Sequence, residues 1–428
     1  MNWKSTVILF FIIANTVFAQ KGALTLDSCL QLAKVNYPLL KQNGLIDQME
    51  QNDQKGLNHN RLPKLSFHAN ATYQSEVTNF DLPGIPPAFA NIFPTFPKDN
   101  YAATLDLEQT IYDAGLVKEQ KRVEKLNAEN EHQKNQVEIY KLVDRVNQLY
   151  CTILLSRANY QTLILYKEDI HNKALLVSSS LKNGLSLQSN LDELDAEEMK
   201  TDQNLIEAKE NLSALYQNMT TLIKIPLNDS TEFPTQPIGG TSKGTDIARP
   251  ELKGFDTQKA LLDEKHLLTN KSALPTLTVS GNGNYGRPGY NLLDQNLRLF
   301  GIAGINLKWN IGALYNLNVE KQNLNINKQM VDVQKELFEL NLNTTLATQA
   351  AQVNTLKSVI EKDKSILEKR HNITLTSANQ LQNGSITSTE YLTQLNAELQ
   401  AVLNQKIHEI KLMNAISNYS TTKGITNF

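Results

Sequence analysis

Residues Gly281 to Gly286 read GNGNYG and match G-x-G-x-x-G, the glycine pattern that cradles a pyrophosphate where a strand turns into a helix. A strand-like stretch does precede it. However, Arg287-Pro288-Gly289 follows in place of a helix start, and an internal repeat carries Ala69, Ala71 and Gln74 at the glycine positions. Small residues on a crowded or lipid-facing strand account for the pattern better than a nucleotide does. The seven histidines are scattered, without H-E-x-x-H or other paired-ligand spacing. Neither a G-x-S-x-G elbow nor a Walker sequence occurs. No enzyme chemistry, metal or cofactor is expected.

The elements that could carry function are therefore structural, and the leader comes first. Lys4 supplies a positive n-region, Val7 to Phe18 is almost wholly apolar, and Val17-Phe18-Ala19 places small residues before a cut at Gln20. Residues 1–19 thus read as a cleaved secretory signal peptide. No cysteine follows the cut, so a lipid anchor is not expected. Beyond the leader no run approaches the ~18 apolar residues of a membrane helix, so any membrane crossing must use strands. With 42 basic and 44 acidic residues and a net charge of −2, the chain offers no basic surface for nucleic acid. Cys29 and Cys151 sit in helical, apolar patterns and read as two buried thiols rather than a bridge.

Glycine and proline are absent from Leu116 to Asn183 and from Ala313 to Asn383, and again from Leu185 to Ile225 and from Ser385 to Lys423. Ile139, Leu142, Val146, Leu149 and Ile153 form a heptad-like stripe in the first long run; Val353, Leu356, Ile360 and Leu367 do so in the second. A helix of about 70 residues would reach on the order of 100 Å, which suggests tubular packing. Long and short helices meet at matched turns, LKNG (Leu181 to Gly184) and LQNG (Leu381 to Gly384). LDELDA (Leu191 to Ala196) echoes LTQLNA (Leu392 to Ala397), with one extra residue expected after the second glycine.

The organisation is a tandem repeat. Residues 20–232 carry a helix, a β-hairpin over 64–112, a long helix over 115–182 and a short one over 186–225. A Pro/Gly/Thr-rich linker spans 233–250. Residues 251–428 repeat the order: a helix, a hairpin over 274–312, and helices over 313–382 and 387–420. The strands alternate with period two. Leu65, Phe67, Ala69, Ala71 and Tyr73 oppose Ser66, His68, Asn70 and Thr72; Tyr101, Ala103, Leu105, Leu107 and Ile111 form a second set. Leu277, Val279, Gly281, Gly283 and Tyr285, then Ala303, Ile305, Leu307, Trp309 and Ile311, complete the four. A half-buried soluble sheet would alternate in the same way. The export signal and the helix lengths favour strands with lipid on one face and water on the other. Four strands cannot close in lipid, where an open edge leaves backbone groups unsatisfied, so symmetric copies must supply the rest. Two, three or four copies give eight, twelve or sixteen strands, and only the larger two leave a useful bore.

LTLDSCLQLAKVNYPLL (Leu24 to Leu40), RLPKLS and ALPTLT with Pro63 and Pro275, and LEQTIYDAG (Leu107 to Gly115) occur in an order that resembles the TolC-type outer-membrane efflux proteins. The resemblance covers essentially the whole mature chain. It implies an α+β membrane fold: four transmembrane strands per protomer in a twelve-stranded barrel of a homotrimer, above a barrel of long antiparallel helices in the periplasm. It also implies a bacterial outer-membrane location and a passive exit duct of an efflux pump or type I secretion system. The partners would be a periplasmic adaptor and an inner-membrane transporter of RND, ABC or MFS type. The turn residues Asn183, Gly184, Asn383 and Gly384 would dock the adaptor. Acidic residues after the turn would narrow the duct: Asp192 and Asp195 in the first half, with Glu193 and Glu390 as further candidates. Thr393 and Asn396 stand where the second half would carry its carboxylates. The aromatic and basic partners that lock some members shut are not recognisable around Gly384 to Thr389.

The Pro- and Phe-rich stretch from Phe80 to Asp99 is expected to be an extracellular loop, with Phe89, Phe93 and Phe96 as candidates for a lid. The rival readings are a periplasmic adaptor and a poreless coiled-coil scaffold. Neither calls for two tandem copies with paired ten-residue strands.

Overall fold

The computed structural model describes residues 23–78, 84, 96–234, 247–291 and 294–425. The leader, Phe89, Phe93 and most of the linker lie outside the described residues. The elements run α1 (Leu26–Val35), α2 (Leu39–His59), β1 (Lys64–Tyr73), β2 (Asp99–Tyr112), α3 (Leu116–Lys182), α4 (Gln188–Ile223), α5 (Pro250–Ser272), β3 (Thr276–Arg287), β4 (Arg298–Lys308), α6 (Ala313–Gln382) and α7 (Ser388–Lys423). The single opening helix expected of the first repeat is two, because Pro38 has no N–H to continue the ladder from α1. Two compact units result, and they cut across the sequence repeat. One holds Pro38–Glu138 and Ala248–Asn343; the other holds the residues up to Tyr37, Ile139–Ile247 and those from Thr344 onward.

The first unit contains the sheet. Its order is β1-β2-β3-β4, all antiparallel. Pairing of Phe67 with Leu105 and Leu65 with Leu107, and of Leu277 with Leu307 and Val279 with Ile305, gathers the apolar side chains on one face. That face is uncovered: Phe67 is 69% and Ile305 70% exposed. The other face is polar and cross-linked. Asn306 Nδ2 donates to Ser280 Oγ at 2.7 Å, Thr104 Oγ1 donates to Asn284, and His68 Nδ1 lies 3.1 Å from Asp106 Oδ2. Among the described residues the outer edges of β1 and β4 pair with no further strand.

Two details of the strands differ from the sequence pattern. A register shift between Thr110 and Tyr112 marks a bulge, which ends the alternation before Ile111. Trp309 and Ile311 lie beyond β4, which stops at Lys308. The Trp309 indole N–H donates to the carbonyl of Ala273 at 3.0 Å and draws the chain out of the ladder toward α6. GNGNYG lies wholly within β3, and a Cβ on Gly286 would collide with the backbone of Tyr101 and Ala102. Close approach of β2, not a phosphate, calls for that glycine.

The same unit's helices are joined by polar contacts. Lys259 with Asp332 (2.5 Å), Lys328 with Asp263 (2.7 Å) and Lys335 with Asp256 (3.2 Å) form an antiparallel ladder between α5 and α6. At the strand-to-helix junction Ala114 and Gly115 have φ of +55° and +82°. Asp113 accepts from the N–H groups of Gly115 (2.9 Å) and Val117 (3.1 Å), capping α3.

The second unit has two apolar cores. In one, Leu142, Val146 and Ile153 of the α3 stripe meet Cys29 and Leu30 of α1 and Tyr216, Met219 and Ile223 of α4. Cys29 and Cys151 are both buried there as free thiols, and burial pushes each up to about 12. Asn147, fully buried, donates to Asn414 (2.9 Å) and Asn418 (2.6 Å), fixing the register of α3 against α7. Arg157 ties the chain beyond α4 to α3, donating to the carbonyl of Thr231 at 2.5 Å beneath the Phe233 ring. The other core surrounds the hairpin turns.

Candidate functional site at the helical hairpin turns

Helices α3 and α6 end in the same motif. In the first, Gly184 N donates to Leu181 O (2.9 Å) and Leu185 N to Ser180 O (2.9 Å); in the second, Gly384 N donates to Leu381 O (3.0 Å) and Ser385 N to Gln380 O (2.8 Å). This paired pattern is a Schellman turn, and it needs a left-handed residue. Gly184 and Gly384 supply it with φ of +71° and +68°. Both turns have the same length, since α4 begins at Gln188 and α7 at Ser388. The extra residue expected after the second glycine is therefore absent from the turn. It shows instead in the side chains: Leu194 is buried in α4 and Leu395 in α7, 201 positions apart, whereas the backbones correspond at 200. The apolar stripe of α7 is advanced by one residue, about 100° around the helix.

The two helix starts are finished differently. Thr387 Oγ1 accepts from Glu390 N at 3.2 Å while Glu390 Oε2 accepts from Thr387 N at 2.8 Å, a reciprocal capping box. Glu390, a sequence candidate for the constriction, is thus occupied as a cap. Leu187, in the matching place, gives α4 no side-chain cap. Asn190 instead turns toward the second hairpin and accepts from Ser388 N at 3.4 Å. A cleft of about 290 Å³ opens beside this contact, lined by Lys173, Ser186, Asn190, Ser385, Thr387 and Glu390.

Further along the helices two tyrosines bolt the hairpins together. Tyr391, fully buried on α7, donates to Asp169 Oδ2 of α3 at 2.6 Å. Tyr166 of α3 places its hydroxyl 2.9 Å from Asn396 Oδ1 of α7 and 3.2 Å from Glu197 Oε1 of α4. Burial, then the neighbouring carboxylates, hold both phenols well above their ordinary range, so both remain donors. Lys173 lies over the Tyr391 ring, 5.8 Å from its centre. A short distance away His171 faces Glu198 (3.3 Å) and His371 faces Glu398 (2.7 Å), one cross-helix pair in each hairpin.

Of the other candidate residues, Asp192, Glu193 and Asp195 are exposed on α4, and Asp192 accepts from Gln188 at 2.8 Å. Thr393 is exposed, its hydroxyl spent on the carbonyl of Thr389 at 2.8 Å. Asn396 belongs to the tyrosine network. Asn183, Gly184, Asn383 and Gly384 are all exposed at the turns. Pro63 and Pro275 each precede a strand, and Phe96 lines a separate cleft with Pro97, Asn100 and Arg287 in the strand-bearing unit. Sequence reading missed Tyr166, Asp169 and Tyr391. The available signal was a tyrosine at an apolar helix position, whose hydroxyl must find a partner once buried.

No protein-family model matches the chain, and no curated protein matches it either. Solved structures do. The outer membrane protein VceC from Vibrio cholerae is 14% identical with a TM-score of 0.65, over 93% of this chain and 94% of that one. CusC, described in connection with transmembrane channel formation, is 14% identical with a TM-score of 0.69, over 93% and 91%. The MtrE outer membrane channel of Neisseria gonorrhoeae, in its open state, is 11% identical with a TM-score of 0.65, over 94% and 89%. The chain has the TolC-like fold of these channels.

Proposed function

We propose that this protein is a passive outer-membrane exit duct that serves an efflux pump or type I secretion system. The observation behind this is a four-stranded sheet with one uncovered apolar face, one hydrogen-bonded polar face and two edges that pair with no further strand among the described residues, all in one chain. In lipid such edges have to be filled, and copies of the same chain do so by symmetry. Three copies give twelve strands, a bore lined by Ser, Thr and Asn, and a belt of Leu, Phe and Ile against lipid. The likeness to solved outer membrane channels supports this reading. A periplasmic adaptor or coiled-coil scaffold has no use for a sheet of this kind.

The leader ahead of Gln20 would direct the chain to the periplasm and leave its helices there. The turns at Asn183-Gly184 and Asn383-Gly384 would meet a periplasmic adaptor, with an RND, ABC or MFS transporter supplying the energy. Asp192, Glu193 and Asp195 would set the charge of the narrow end, opposed in the second half by neutral Thr393 and by Asn396. The bore face carries His68, Asp106 and Glu108 beside its Ser, Thr and Asn residues, a lining that admits small polar molecules without selecting among them. Planar-bilayer recording of the detergent-purified protein tests the reading: discrete conductance steps are expected, with a larger conductance and weaker cation preference in Asp192→Ala. A wild-type protein that gives no conductance at any voltage overturns the duct. A conducting channel unchanged in Asp192→Ala removes only that residue from the constriction.

A further inference from the structure

In the strand-bearing unit, Glu119 of α3 and Glu264 of α5 turn their carboxyl groups toward each other. Their side chains are only 9% and 15% exposed. One guanidinium serves both: Arg122 Nη1 lies 3.0 Å from Glu119 Oε2 and 3.7 Å from Glu264 Oε1. The second distance is too long for a hydrogen bond. Glu264 Oε1 is buried and has no hydrogen-bond partner among the described residues. Two buried anions side by side with one cation, and with an orphan acceptor oxygen, form an expensive arrangement. A proton on one of the two oxygens that face each other turns a repulsion into a short O–H···O⁻ bond.

We propose that Glu119 and Glu264 share a single proton, forming a proton-dependent clasp between α3 and α5. Helix α2 also packs against α3 at this level, where Gln54 and Asn58 bond Lys121. Lys118 and Arg122 act from α3, and Arg61, paired with Asp113, stands at the start of that helix. The neighbouring α5 groups Lys259 and Asp263 are committed to Asp332 and Lys328 of α6. The direction of each carboxyl agrees with the geometry. Burial and the Glu119 carboxyl raise Glu264 above the ordinary range, while the bond from Glu264 and then the Arg122 contacts hold Glu119 below it.

The position gives the clasp its consequence. Helix α3 leaves β2 and α5 enters β3, and those two strands are paired. The clasp thus holds together the two helices that feed the middle of the sheet. The stabilisation from Glu264 is lost as pH rises through its raised value, and that from Glu119 is lost as pH falls through its lowered value. The clasp is tightest between the two and loosens as pH rises past the raised Glu264 value, when the shared proton leaves to solvent.

Full-length protein in detergent, wild type and Glu264→Gln, provides the test by two readouts. Infrared difference spectra at about pH 5.5, above the ordinary glutamate value near 4.3, should show a protonated-carboxyl stretch in the wild type that is lost in Glu264→Gln. The amide of the variant imitates the protonated acid, so it should also lose part of the wild type's fall in melting temperature as pH rises above the ordinary glutamate range, by about 2–4 °C. A wild-type spectrum without the protonated-carboxyl band overturns the shared proton. So does a band that survives in Glu264→Gln, or a melting profile with the wild-type pH dependence in that variant.

Discussion

The two helical hairpins have the same backbone and different chemistry. Helices α4 and α7 are both 36 residues long, and their ends correspond at a spacing of 200: Leu187 with Thr387, and Lys224 with Gly424. The second hairpin has a capping box at its start and a glycine at φ +84° at its end. The first has an uncapped leucine at its start and a lysine held at φ +60° at its end. The turn residues Leu, Asn and Gly and one cross-helix His–Glu pair are the same in both. The geometry of the reversal is what the repeat has to keep, because it alone demands a left-handed residue at a fixed place. Caps and core residues are free to diverge, and the divergence lets α7 present Tyr391 and Asn396 to α3 across the hairpins, whereas α4 leaves Asp192, Glu193 and Asp195 in solvent and gives only Glu197 to the tyrosine network.

The largest difference between the hairpins lies at the bolt. Tyr391→Ala should cost about 3–5 kcal/mol, as expected for a fully buried aromatic side chain. Asn190→Ala, at the matching place of the α4 stripe, should cost about 1 kcal/mol or less. Tyr391→Phe isolates the hydroxyl and should cost about 1.5–3 kcal/mol, because Asp169 loses its donor. Denaturant unfolding of the purified protein separates these three, and equal losses at Tyr391 and Asn190 would erase the asymmetry. The turn glycines should behave alike. Gly184→Ala and Gly384→Ala each force a left-handed alanine where a Cβ meets no close atom, so both should lose about 1–2 kcal/mol.

The strand-to-helix junctions offer a comparison that depends on pH. Asp113 stands where the second repeat has Asn310. Burial tends to raise the Asp113 carboxyl, but the N–H groups of Gly115 and Val117 and the charge of Arg61 outweigh it and hold it below the usual carboxylate range. Its stabilisation is present above the ordinary aspartate value near 3.9 and is lost as pH falls through the lowered one. Asp113→Asn should remove that part of the acid sensitivity and cost about 1 kcal/mol at neutral pH, read from melting curves across pH. The smallest effects should be gains. Leu187→Thr and Lys224→Gly give α4 the caps of α7, and each should add up to about 1 kcal/mol. No gain from either would mean that other contacts already compensate the poor ends.

Much of this was legible in the sequence because it depends on local pattern. Runs free of glycine and proline marked α3, α4, α6 and α7, and period-two alternation marked the four strands. Ile139, Leu142, Val146 and Ile153 are buried as their heptad spacing requires. What was not legible depends on contacts distant in sequence. The end of β4 is set by Trp309 reaching back to Ala273, 36 positions away. The bolt joins Asp169 to Tyr391, 222 positions apart. The side-chain repeat at 201 suggested an insertion in the turn, because an apolar stripe cannot by itself distinguish an added residue from a helix rotated by one position. In the sequence Glu390 reads only as a carboxylate candidate for the narrow end. Its cap to Thr387 is local, yet Ser-Thr-Glu after Thr387 offers more than one frame for a capping box.

On the proposed reading, one chain is an incomplete barrel that only copies of itself can close. The most direct measurement is the protein-only mass of the complex after detergent extraction of the outer-membrane fraction. Three copies of the mature chain are predicted, giving twelve strands without a free edge. A monomer released without detergent would contradict it, since four strands with two open edges and an uncovered apolar face cannot stand alone in lipid.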